Sequence, residues 1–206
     1  MSKTLTLVLG THNRKKRLEL AQLLEPYPVE LKTLDDFADA IDVEETGDTF
    51  AANAILKASE QAIQLRRWVL GEDSGLSVAA LDGGPGVYSA RFSGANATDA
   101  SNNELLIEKL HGKPDAARNA WYTCNMALSD PHGSVVIQTE AFCHGRILSE
   151  PRGTAGFGYD PLFEIPEYHL TFAEMGNTVK SILSHRARAH RLFMRKLIHL
   201  LPNFIG

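Results

Sequence analysis

The sequence predicts an α/β fold built on a mixed β-sheet. Two observations carry this. Short apolar runs alternate with segments whose apolar residues recur at helical spacing, the pattern of strands joined by packed helices. In addition, two long strand-like segments, Arg118 to Ser129 and Ser134 to Leu148, flank Asp130-Pro131-His132-Gly133. A hairpin there places an antiparallel pair in a sheet that is otherwise open to parallel crossovers.

The elements follow in chain order. Leu5 to Leu9 is a buried strand with threonines interleaved, and it ends in the polar turn Gly10-Thr11-His12-Asn13. The run RKKRLELAQLLE is helical, with Leu20, Leu23 and Leu24 spaced to face a core and Pro26 as its stop. Val29 to Leu34 reads as a second strand, and Glu44-Glu45-Thr46-Gly47 as a turn. Thr49 caps a helix running to about Leu65, with Phe50, Ala54, Ala58, Ala62 and Leu65 on one face. Trp68 to Leu70 is a short apolar strand, followed by a glycine-rich loop that reaches Arg91. A helix from about Asp99 to Leu110 precedes the hairpin, and Gly156 to Pro161 is a loop. The last helix runs from about Asn177 to Leu201.

Bulk properties narrow the function classes. A length of 206 residues suits one domain or two small lobes sharing a core. A net charge of -4 argues against a general nucleic-acid binder, which is ordinarily basic, but leaves room for a local cationic pocket. Cys124 and Cys143 form no CxxC pair and sit in no metal-like cluster, so they read as reduced, buried thiols of a cytoplasmic protein. The apolar run near the N-terminus is too short for a signal-peptide core, and no stretch is long enough to span a membrane.

Four clusters carry chemistry. Thr11, Asn13 and Lys16 lie where a strand enters a helix, and backbone N–H groups at a helix start attract anions. Glu44 and Glu45 precede Asn53 and Lys57, which are four apart and share a helix face. Glu72-Asp73-Ser74-Gly75 follows an apolar strand directly, and α/β sheets keep their sites at strand ends. Glu44, Glu45, Glu72 and Asp73 together offer enough hard oxygens for Mg²⁺ with room left for phosphate. The fourth cluster joins Gly156-Phe157-Gly158-Tyr159-Asp160 to Lys180, Ser184, His185 and Arg186. Phe157 between glycines leaves a ring free to stack on a planar ligand. Each cluster has a plain structural reading too: a helix cap, surface carboxylates, a turn, a solvated basic helix. Arg188, His190, Arg191, Arg195 and Lys196 read as that solvated face. What favours chemistry is that the four complement one another, with carboxylates for a metal, cations for phosphates and an aromatic for a base.

On these residues the chain resembles the inosine/xanthosine triphosphate pyrophosphatase family. The resemblance rests on Thr11-His12-Asn13-Arg14-Lys15-Lys16, Glu45-Thr46-Gly47-Asp48-Thr49-Phe50 through Lys57, and Glu72-Asp73-Ser74-Gly75. It continues through Pro85-Gly86-Val87-Tyr88-Ser89-Ala90-Arg91, Gly156 to Asp160, Thr171-Phe172-Ala173-Glu174, and Lys180 with Ser184-His185-Arg186. The motifs fall in family order over nearly the whole chain. Glu72 stands where an aspartate is common in the family, which leaves the metal ligation open.

The resemblance implies an elongated sheet flanked by helices, with two lobes and a central active-site cleft in a single nucleoside-triphosphate pyrophosphatase domain. It implies a homodimer that acts on a small-molecule nucleoside triphosphate, to which the cysteine, charge and hydropathy readings add a cytoplasmic location and neither nucleic acid nor membrane as partner. The activity implied is Mg²⁺-dependent hydrolysis of ITP, dITP or XTP to the monophosphate and pyrophosphate, which cleanses the nucleotide pool. Carried over by position, Asp73 is the proton acceptor and a metal ligand, with Glu44 or Glu45 as its partner and Glu72 a further candidate. Thr11, His12, Asn13, Arg14, Lys15, Lys16, Lys57 and Ser74 hold the phosphates. Phe157, Gly158, Tyr159, Asp160, Lys180, His185 and Arg186 frame the nucleoside. The glycine-rich loop to Arg91 is expected at the cleft mouth or the dimer contact. The rivals are a pyrophosphatase for other modified or standard dNTPs and a nucleotide sensor without turnover. A phosphotransferase lacks support, since no glycine-rich P-loop ending in Lys-Ser or Lys-Thr occurs.

Overall fold

The computed structural model describes residues 4–12 and 14–205, and for residues 14, 15, 19 and 203–205 the backbone alone. Among the described residues seven strands form one sheet. They are β1 (Leu5–Leu9), β2 (Val29–Thr33), β3 (Trp68–Val78), β4 (Asn119–Ser129), β5 (Val135–Ile147), β6 (Phe163–Ile165) and β7 (Leu170–Thr171). Their order is β2-β1-β3-β4-β5-β6-β7. β1 pairs in parallel with both β2 and β3, whereas β6 pairs antiparallel with β5 and β7, so the sheet is mixed as the sequence predicts. The helices are α1 (Arg14–Leu24), α2 (Phe50–Leu65), α3 (Asp99–Lys109), α4 (Phe172–Leu183) and α5 (His185–Ile205). None of these is long and apolar enough to cross a membrane.

The chain divides into two compact units. The first comprises Met1–Asp73, Cys124–Glu140 and Ala189–Gly206, and the second Ser74–Thr123 and Ala141–Arg188. In the first, α2 packs onto the sheet through Ala62 and Leu65 against Val8 and Val69, and through Ala54 and Ala58 against Ala127. The core of the second is more aromatic. Tyr122 and Phe163 lie 4.6 Å apart between ring centroids, and Phe163 and Phe172 5.3 Å, within the range of favourable ring pairs.

The short strands β6 and β7 were not read from the sequence, and two further departures bear on the site. β3 does not stop at Leu70 but runs through Val78, eleven residues, so Glu72 and Asp73 lie inside the strand and not beyond its end. It is buried along most of its length, which removes the polar/apolar alternation by which a half-buried strand is recognised. Its acidic and glycine residues also have low strand propensity and masked the continuation. The last helix is likewise not continuous. Gly176 breaks α4 with φ 75°, ψ 173°, and Ser184 is extended at ψ 156° between α4 and α5. Ser184 caps α5 by accepting the Ala187 N–H at 3.2 Å. Lys180 and His185 therefore belong to different helices, not to one helix start.

Close packing of α2 on β3 sets up the site. At Gly71 a Cβ would stand 2.2 Å from the Ala54 carbonyl oxygen and 2.7 Å from the Ala58 nitrogen. Both neighbours are helix backbone and cannot repack as a side chain would. Gly71→Ala is expected to cost about 1–3 kcal/mol by overpacking. That corresponds to a fall in Tm of roughly 2–4 °C per kcal/mol for a chain of this size. A thermal melt equal to wild type would mean that α2 does not ride directly on the β3 backbone.

Candidate active site

In the first unit three elements bring charge together. β3 carries Glu72 and Asp73, α2 carries Asn53 and Lys57, and the irregular segment before α2 carries Glu45. α2 starts where it does because Thr49 accepts the Ala52 N–H at 3.1 Å. The helical repeat then puts Asn53 and Lys57 on the same side. Lys57 Nζ lies 3.0 Å from Asp73 Oδ1 and 2.8 Å from Glu45 Oε1. Asn53 donates to Asp73 Oδ2 at 3.2 Å and accepts the Gly47 N–H at 2.8 Å. A Cβ on Gly47 would come within 2.7 Å of Asn53 Oδ1, so the turn reaches α2 only as glycine.

Electrostatics differ between the partners. Burial pushes the Asp73 carboxyl above the ordinary aspartate range, Lys57 and Asn53 oppose the rise, and the like charge of Glu45 adds to it. Burial would lower the Lys57 ammonium, but Asp73 and Glu45 outweigh it and hold the group above the usual lysine range. The lysine gains two acidic partners, which outweigh its burial, whereas burial dominates at Asp73 and the nearby Glu45 charge only adds to it.

A cavity of about 280 Å³ adjoins this cluster, with Thr11, His12, Lys16, Glu45, Lys57 and Glu72 among its walls. Lys16 Nζ stands 3.1 Å from Glu72 Oε1. His12 Nδ1 is 2.5 Å from Asp35 Oδ1 in an exposed pair. Glu44 is exposed and does not line the cavity, whereas its neighbour Glu45 does. Asn13 lies outside the described residues, and the side chains of Arg14 and Lys15 do too. Hard carboxylate oxygens of Glu45 and Asp73 converge on one positive charge, a donor type that suits a divalent cation, but among the described residues no three His, Cys, Asp or Glu side chains gather as a metal centre.

The second unit holds the other expected residues. Arg186 donates to Ser74 Oγ at 3.3 Å, and its guanidinium carbon is 5.7 Å from the centre of the Phe157 ring. Lys180 Nζ lies 4.1 Å over the same ring and pairs with Asp160. Asp160 in turn accepts the Phe157 N–H at 2.9 Å. Phe157 remains 36% exposed, so ring surface is left for a ligand. Gly158, at φ 62°, is gripped from α3: its N–H donates to Asp99 at 2.7 Å and its carbonyl accepts from Asn103 at 2.9 Å. Tyr159 is turned inward. Its hydroxyl donates to the Ser89 carbonyl at 2.8 Å, and burial keeps the phenol well above its ordinary range. His185 is buried and stacks on Tyr122 at 4.6 Å, with 9° between the planes. The glycine-rich loop thus has a structural duty: Ser89, in the 3₁₀ turn Gly86–Arg91, accepts from Tyr159 and receives the Leu76 N–H at 2.8 Å.

Four residues were absent from the expected site. Asn53 was legible as a helix-face neighbour of Lys57 but not as the hydrogen-bond partner of Asp73. Asp99 and Asn103, which hold Gly158, carried no local signal. His190, read as part of a solvated face, is 2% exposed and stands 3.7 Å from Glu72. Its spacing from Arg186, Ala189, Phe193 and Leu197, all buried, was the available clue.

Comparison with known proteins gives consistent results. A family model described as the Ham1 family matches residues 7–196. A dITP/XTP pyrophosphatase of Rhodopirellula baltica is 53% identical over 98% of this chain and 98% of its own length. A dITP/XTP pyrophosphatase of Geobacter sulfurreducens is 47% identical over 89% of this chain and 92% of its own. Among solved structures, a HAM1 protein from Coxiella burnetii superposes with TM-score 0.90 at 37% identity, covering 95% of this chain and 100% of that one. The Staphylococcus aureus Ham1 protein gives TM-score 0.87 at 34% identity, covering 94% and 98%.

Proposed function

Because the chain belongs to the Ham1 family, we infer that it hydrolyses deaminated purine nucleoside triphosphates, dITP and XTP among them, to the monophosphate and pyrophosphate. The observation that carries this reading on the chain itself is the partly buried Glu45–Lys57–Asp73 cluster beside a cavity that both lysines and carboxylates line. A sensor needs cations for a triphosphate but not a spare base with a raised affinity for protons. Asp73 has that property, since burial favours its neutral form.

Each residue has a task in this reading. Asp73 accepts a proton from the attacking water, and Asn53 holds its second oxygen so that the first stays aligned. Thr11, Lys16 and Lys57 take the phosphate oxygens, where the negative charge of departing pyrophosphate collects. Glu45 and Asp73 hold Mg²⁺, which supplies further neutralisation of that charge when bound. Phe157 offers its ring to the base, and Ser74 and Asp160 restrain Arg186 and Lys180 beside it. We extend the reading to a cytoplasmic homodimer, whose assembly light scattering would test. The activity itself is tested by incubating the protein and Mg²⁺ with a panel of nucleoside triphosphates. Pyrophosphate released from ITP, dITP and XTP supports it, while orthophosphate or no release overturns it.

Base choice follows from donors. Hypoxanthine and xanthine present an oxygen at C6 where adenine presents an amino group. Arg186 can only donate, so it suits the oxygen and opposes the amino group. Arg186→Ala is expected to lower kcat/KM for ITP by about tenfold or more, the scale of one good base contact. It should also narrow the ITP-to-ATP ratio. GTP shares the C6 oxygen, so the variant should not gain GTP as a substrate. Equal falls for ITP and ATP in steady-state pyrophosphate release would assign Arg186 to the phosphates or the fold.

A further inference from the structure

One buried polar residue of the first unit has no task in this scheme. His190, on α5, is 2% exposed, and its Nε2 makes no hydrogen bond among the described residues. That nitrogen stands 3.7 Å from Glu72 Oε2. The other oxygen of the same carboxylate, Oε1, lies 3.1 Å from Lys16 Nζ. An imidazole from α5, a carboxylate from β3 and an ammonium from α1 therefore form a row ending at the cavity, which Lys16 and Glu72 both line.

The arrangement answers two physical needs. A carboxylate as buried as Glu72, 3% exposed, is costly unless both oxygens meet positive or donating groups. Lysine carries its charge on a flexible four-carbon stem and loses much rotamer freedom when held at one point. A carboxylate fixed from behind can hold that ammonium. The row also bears on reach. An aspartate at position 72 would be shorter by one C–C bond, roughly 1.5 Å. It would withdraw from one of its two neighbours.

We propose that His190 and Glu72 are positioning residues that fix the Lys16 ammonium at the phosphate end of the cavity. His190 steadies Oε2 of Glu72, and Oε1 steadies Lys16. Glu72 then acts as the counter-ion of Lys16, and the metal falls to Glu45 and Asp73. The inference rests on the reading of this cavity as the triphosphate site.

The test is calorimetric binding of inorganic pyrophosphate with Mg²⁺ to the whole protein, alongside ITP kinetics. His190→Leu is expected to weaken pyrophosphate binding by about fivefold, the scale of a lost contact between charged groups within about 4 Å. It should raise KM for ITP more than it lowers kcat. His190→Gln, whose amide nitrogen reaches the place of Nε2, should restore most of the affinity. In a Lys16→Ala background His190→Leu should add no further loss, because the group it acts through is gone. Wild-type affinity in His190→Leu would overturn the proposal. So would an undiminished loss in the Lys16→Ala background, which would make His190 a packing residue. Should His190→Leu not fold, His190→Asn replaces it. Its amide stops at the place of Nδ1, and binding as tight as that of His190→Gln would overturn the proposal equally. A wild-type protein that binds no pyrophosphate and releases none from ITP would instead remove the functional reading on which the proposal stands.

Discussion

Asp73→Asn is expected to reduce turnover of ITP by about 10²–10⁴-fold, the usual loss when a positioned general base is removed. The fold should survive. Asparagine is nearly isosteric, and its one oxygen can still accept from either Lys57 or Asn53, though not from both as the carboxylate does. The stability of the metal-free protein carries a sign that separates this from simple damage. Asp73 has a folded-state pKa raised above its ordinary value of 3.8, chiefly by burial. For a group raised in this way, the favourable contribution is complete below the unfolded pKa and is lost as pH rises through the folded value. At neutral pH the ionised side chain is therefore a burden on the fold, and the neutral amide removes it. The metal-free variant should melt no lower than wild type at pH 7, and the two should converge as pH falls below 3.8. A variant that melts well below wild type at pH 7, or that turns over normally with saturating Mg²⁺, would remove Asp73 from the role of general base.

Lys57→Met should lower kcat by about 10²–10³-fold, the scale of losing one electrostatic group aimed at developing charge. It leaves Glu45 and Asp73 facing each other without the ammonium that lies 2.8 and 3.0 Å from them. Lys57 opposes the rise of Asp73 towards its neutral form, so its loss moves that carboxyl further up. The base form is then lost at a higher pH, and the acid limb of the kcat/KM profile shifts upward. The metal-free variant should also melt lower, because two partly buried carboxylates lose their shared partner. Mg²⁺ should raise its Tm more than it raises that of wild type, since a cation restores what the lysine supplied. An unmoved acid limb together with an unmoved Tm would return Lys57 to the status of a surface residue, where ion pairs contribute little.

Some of this architecture could be read from local chemistry. α2 is an example: Thr49 as cap, Ala54, Ala58 and Ala62 on the buried face, and Asn53 with Lys57 together on another are all consequences of a 3.6-residue repeat. The boundary between α4 and α5 shows where such reading fails. Ser184 is a good cap residue, but the basic run after it fits a continuing helix equally well. In the structure Ser184 is extended and caps the next helix, and His185 stacks on Tyr122.

By itself the sequence determined which chemical groups are present, their order along the chain, and which of them share a helix face. Those are properties of neighbours within a turn or two. The tertiary structure decided which groups meet. It put Glu45 rather than the adjacent Glu44 on the cavity wall, and it carried β3 through Glu72 and Asp73 into a buried strand. It joined Arg186 to Ser74 across 112 positions of chain. It also turned His190 from a solvated base into the neighbour of a buried carboxylate. The physical reason is that burial and charge pairing depend on long-range packing. A side chain's distance from a partner on another element is not encoded in the spacing around it, yet that distance sets its pKa, its cost and its role.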